Sequence, residues 1–142
     1  MSPEKCARLE AESQNMINFA MLCARIQKAG GRAFYFEHPR GAETWADDEV
    51  VALQEHVVNF DHCRLGLVSP KGQPMKKATS LLTNSRFVCD AFEGLYCACG
   101  EEHCQIQGSQ LGCKLSRWAA RYPPLMCHKL ANAAIQWADA TP

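Results

Sequence analysis

Two groups of residues in this chain have the types and spacing to do chemistry. The first is Glu37-His38-Pro39, a carboxylate and an imidazole that abruptly end the apolar run Phe34-Tyr35-Phe36. Such a pair can move protons near neutral pH, and in open α/β sheets ligands gather at the carboxyl ends of strands. Asp61-His62 closes a second apolar run, Val57–Phe60, in the same manner. Glu37, His38 and Asp61 are therefore candidate catalytic residues sharing one sheet edge. The second group is Cys97-Ala-Cys99-Gly-Glu-Glu-His103-Cys104, with Cys113 nine residues further on. Tetrahedral zinc takes four sulfur or nitrogen ligands, usually as pairs a few residues apart. Cys99 and His103 make one such pair around Gly100, and Cys97 or Cys104, with Cys113, Cys63 or Cys127, would complete the set. Cys97, Cys99, His103, Cys104 and Cys113 are the metal-ligand candidates, and no second clean Cys-x-x-Cys pair selects among them.

The elements that must position these residues are marked along the chain. Ser2-Pro3 opens a helix as a cap followed by proline, and Gly30-Gly31 closes it. Met16, Phe19, Ala20, Cys23 and Ile26 recur within it at helical spacing and define one apolar face. A strand over 32–37 follows, then a loop over 38–45 and a helix over 46–56 with Val50, Leu53 and Val57 inward. Residues 57–60 read as a second strand. Leu65–Ser69 and Ala78–Thr83 read as two arms of a hairpin around Pro70-Lys71-Gly72-Gln73-Pro74. Asn84-Ser85 cap a helix carrying Phe87, Val88, Phe92 and Leu95, and a final helix runs from about Leu125 to Trp137. This order predicts an α/β domain with a partly parallel sheet over residues 1–96, followed by a Cys/His-rich segment and helix over 97–142 packed on the same body.

Composition bounds the function classes. With 142 residues, 47% of them hydrophobic, and a formal net charge of zero, the chain suits one cored domain without a global field for nucleic acid or membrane. Charge is nevertheless segregated: residues 37–55 hold six acids against Arg40 alone, whereas residues 62–88 hold five bases and no acid. Arg64, Lys71, Lys76 and Lys77 form from this a candidate nucleic-acid contact. Nine cysteines without a secretory signal read as reduced thiols or metal ligands, which places the protein inside the cell, nuclear or cytoplasmic, and away from the membrane.

The runs GRAFYFEHPRGAETW and FDHCRLGLVSPKGQPMKKATSLLTN, the Cys/His cluster and YPPLMC together resemble a family of open reading frames from mobile elements of algae and fungi. Fuller members of that family resemble class I, S-adenosylmethionine-dependent DNA cytosine methyltransferases. The resemblance covers nearly the whole chain and implies the C-terminal half of a Rossmann-like domain, an incomplete three-layer sheet with helices. It implies that Glu37 takes the place of the glutamate that holds the edge of a flipped cytosine, with His38-Pro39 where those enzymes carry Asn-Val. Arg64, Lys76 and Lys77 fall where the enzymes keep a basic hairpin, so the resemblance implies DNA as partner. Such an enzyme also needs a Pro-Cys nucleophile and a Gly-x-Gly cofactor turn, and this sequence has neither. S-adenosylmethionine and activity are thus expected only with a complementing segment. A complementing chain or a homodimer would join through an exposed sheet edge. A zinc-stabilised nucleic-acid- or protein-binding module, and a folded fragment without surviving function, are the other two readings.

Overall fold

The computed structural model describes residues 1–141. Helix α1 (Pro3–Ala29) begins as its sequence dictates: the Ser2 hydroxyl accepts from the Lys5 backbone N–H at 3.3 Å, proline stands at the first position, and Gly30 ends the helix. Strand β1 (Tyr35–Pro39) follows, then a 3-10 turn (Glu43–Ala46) and the short α2 (Asp48–Ala52), whose first turn is capped by the Asp47 carboxylate. Strand β2 (His56–Asp61) leads into a second 3-10 turn (His62–Leu65). Strand β3 (Ala78–Thr83) and α3 (Arg86–Phe92) come next, the latter capped by Ser85 as expected. The chain closes with the two-residue strands β4 (Ser109–Gln110) and β5 (Cys113–Lys114), the single-turn α4 (Leu115–Trp118) and α5 (Pro124–Ala140). No helix among the described residues is long and apolar enough to cross a membrane.

The fold is mixed α/β, and its main sheet departs from expectation. Its order is β1-β3-β2 and both pairings are antiparallel, so the partly parallel sheet expected from the element order is not formed. The expected hairpin is absent too. Ala78–Thr83 is the central strand, with five of its six residues buried, while residues 65–75 fold on themselves around an isolated Val68–Pro74 bridge. Buried apolar runs fit a central strand of either polarity, and the Pro70–Pro74 turn signal marks that local loop rather than a strand connection.

Two cores sandwich the sheet. Val58, Phe60 and Leu81 pack against Val88 and Phe92 of α3 and Met126 and Ala133 of α5, which joins the C-terminal segment to the body. On the opposite face Leu82, Phe34 and Phe36 meet Met21, Ala24, Ile17 and Ala20 of α1 and Val50 and Leu53. The buried face of α1 is therefore a different one from that expected. Met16, Phe19, Cys23 and Ile26 are exposed, because α1 is apolar on two opposed sides that share one period. Val57, expected to face inward, lies on β2 and is exposed.

Candidate metal centre

Three local structures bring the ligands together. Cys63 lies in the 3-10 turn that ends β2, a turn closed by Gly66 at φ +88° with its N–H on the Cys63 carbonyl at 3.2 Å. After α3, residues 95–97 run back along the end of β2. There the Asp61 N–H donates to the Leu95 carbonyl at 2.9 Å, and the Asp61 carboxylate accepts from the Cys97 N–H at 2.8 Å. The far end of the loop is tied down where the Cys104 N–H meets the Pro74 carbonyl at 2.8 Å.

Between these anchors the ligand atoms of Cys63, Cys97, Cys99 and His103 all lie within 4.8 Å of one another. A zinc tetrahedron with bonds of about 2.3 Å to sulfur sets its ligand atoms about 3.8 Å apart. Cys97 Sγ and His103 Nε2 stand 3.3 Å apart, so a small contraction of the rest would close the shell. The thiols already interact. Burial, followed by hydrogen bonds given to Cys97 and Cys99, pushes the Cys63 thiol up to about 12. Cys97 is shifted the other way, chiefly by the Cys99 backbone N–H, with help from the neighbouring thiols and Lys76. A bound dication would reverse the first shift outright, since a coordinating thiol is deprotonated.

Of the expected ligands, Cys97, Cys99 and His103 meet here, and the fourth member is Cys63. Cys104 and Cys113 fall outside the set: the Cys104 sulfur accepts from Gln110 Nε2 at 3.3 Å, and the Cys113 thiol points toward the Leu111 carbonyl. Their density in sequence reflects the β4–β5 hairpin rather than a shared ion.

The expected catalytic trio does not converge. Glu37 sits mid-strand in β1, opposite Leu81, and His38 opposite Ser80, so strand alternation sends the two side chains to opposite faces. His38 stacks on Phe36, with ring centroids 5.9 Å apart, and its Nε2 meets Thr44 Oγ1 at 3.1 Å. Asp61, almost wholly buried, pairs with Arg40 Nη2 at 3.0 Å and holds Cys97. Among the bases, Arg64, Lys71 and Lys76 are exposed, but Lys77 is committed to Glu37 at 3.4 Å and to the Ala119 carbonyl.

His62, which closes the second apolar run beside Asp61, is 0% exposed, stacked on Phe60, with both ring nitrogens unpartnered and Glu37 Oε1 3.8 Å away. Burial, and then Lys77, hold its pKa down at about 4 against an ordinary 6.5. The folded ring is thus neutral, and the unfolded chain binds the proton more readily. The sign follows: this contribution is complete above pH 6.5 and is lost as pH falls toward 4, by up to about 3 kcal/mol. Urea titrations of His62→Leu should show a shallower loss of stability between those limits than the parent chain; parallel slopes would refute it.

No protein-family model, no curated protein and no solved structure matches the chain. The site's own chemistry is accordingly what speaks for its function.

Proposed function

We propose that the chain is a zinc-stabilised binding module that contacts nucleic-acid phosphates through Arg64, Lys71 and Lys76. The observation that carries this reading is the convergence of Cys63, Cys97, Cys99 and His103 within 4.8 Å. Four protein ligands leave no open position for a water or a substrate, which is the signature of a structural rather than a catalytic zinc. Three thiolates, one imidazole and a dication sum to one net negative charge. A single base offsets that charge. Arg64 adjoins Cys63 in sequence and Lys76 lies near enough to Cys97 to act on its thiol, so the positive charge stands on the Cys63 side of the site, whereas Glu101 and Glu102 of the ligand loop are acidic. The resemblance to the methyltransferases adds no activity to this reading, because the sequence lacks both the Pro-Cys nucleophile and the Gly-x-Gly turn.

Elemental analysis of the purified chain should find one zinc per molecule, and its absence would remove the proposal. Fluorescence anisotropy with a duplex oligonucleotide should show affinity falling with salt, at a log–log slope of about −3 for three phosphate contacts. Replacing Lys71 and Lys76 by alanine should flatten that slope by about 2. A zinc-loaded chain with no salt-dependent binding would reassign the surface to a protein partner.

A further inference from the structure

We propose that α1 is a dimerisation helix that pairs antiparallel with α1 of a second copy of this chain. The helix has two apolar sides and the body covers one. Ile17, Ala20, Met21 and Ala24 face the sheet. On the side turned away from it, Met16 is 73% exposed, Phe19 67%, Ile26 54% and Leu22 47%, with Cys23 exposed among them. Met16, Phe19, Cys23 and Ile26 follow the alternating three- and four-residue steps of a coiled-coil seam. From Ser13 to Ala24 the helix carries no charged residue at all, an unusual stretch for a helix with a solvent-facing side.

The surface area points the same way. The chain exposes 8959 Å². A compact monomer of 15.8 kDa exposes about 7,300 Å² by the usual scaling of surface with mass. The excess of about 1,600 Å² is roughly twice what one partner contributes to a standard interface. Part of it comes from the first half of α1, whose residues 1–16 are all exposed except Cys6. A free helical end of that length is marginal in water unless something packs on it.

A second copy fits because the stripe is self-complementary about its own middle. In an antiparallel pair centred on residue 21, Met16 meets Ile26 and Phe19 meets Cys23, so that no apolar residue of the seam faces a charge. The same alignment opposes the helix dipoles, and Lys28, held by Glu55 on the body-facing side of α1, stays clear of the seam. A parallel pair would set like charges together. The sheet lies behind the opposite side of α1 and does not obstruct the approach.

Sedimentation velocity from micromolar to sub-millimolar concentration should give a species of about twice the monomer mass. Phe19→Glu should give a folded monomer that melts where the parent chain melts when diluted below its dimer dissociation constant, since Phe19 has no role in the core. Met16→Lys and Ile26→Glu should each weaken self-association about tenfold or more, and mixing the two chains should restore a heterodimer through the new ion pair. A wild-type monomer throughout, or a Phe19→Glu chain that still dimerises, would overturn the proposal. Failure of the mixed pair to associate would overturn the antiparallel alignment.

Discussion

Stripping zinc from the purified chain with a chelator is expected to lower its melting temperature by about 10 °C or more. Cys63 follows β2, whereas Cys97, Cys99 and His103 all follow α3, so the ion would close a ring of roughly 35 residues that contains β3 and α3. By the loop-closure relation used for disulfides, a cross-link of that span contributes about 4 kcal/mol, before any gain from the metal–ligand bonds themselves. One kcal/mol moves the midpoint of a domain this size by about 2–4 °C, which gives the figure above. Cys99→Ser should reproduce the loss in the presence of zinc. Cys104→Ser, Cys113→Ser and Cys127→Ser should not, because those thiols lie outside the set. Superimposable melts with and without chelator would end the case for a structural metal.

Asp61→Ala should cost about 3 kcal/mol of stability and, separately, about tenfold or more in zinc affinity. The first effect comes from the buried pair. Removing the carboxylate leaves Arg40, itself about a third exposed, with the Phe60 carbonyl at 2.8 Å and the face of the Tyr96 ring but no counter-charge. The second comes from the bond between Asp61 Oδ2 and the Cys97 N–H, which fixes where the ligand loop leaves the sheet. Asp61→Asn keeps an acceptor for that N–H but not the charge facing Arg40. It should therefore recover more of the zinc affinity than of the stability. Competition against a chromogenic chelator measures the first quantity and urea titration the second. Equal zinc affinity in all three chains would show that Asp61 only packs.

Local signals in the sequence were sound where one element decides its own form. Ser2-Pro3, Gly30 and Ser85 cap helices through contacts made within a turn, and three of the four ligands come from one seven-residue stretch. What depended on distant partners was not legible. Glu37 and His38 adjoin in sequence, yet a strand that runs on to Pro39 turns them to opposite faces, and only the true strand end would have revealed it. The burial of His62 has no local signal, because Phe60, Tyr122 and Glu37 close over it from three separate parts of the chain. Cys63 stood among the alternatives for the fourth ligand, and choosing it required knowing that residues 95–97 return to β2. For α1, period alone could not say which of two apolar sides the sheet would cover.

The place of β3 between β1 and β2 also bears on how the chain is made. The strand that holds the sheet together is the last of the three to leave the ribosome, and the earlier two do not pair with each other. At usual synthesis rates, the interval between Asp61 and Thr83 lasts roughly 1–4 s. Throughout that interval two nascent strands, and a long helix bare on both sides, wait without a partner. The protein is thus most exposed to chaperones, and to misassociation with its neighbours on a polysome, just before its central strand emerges.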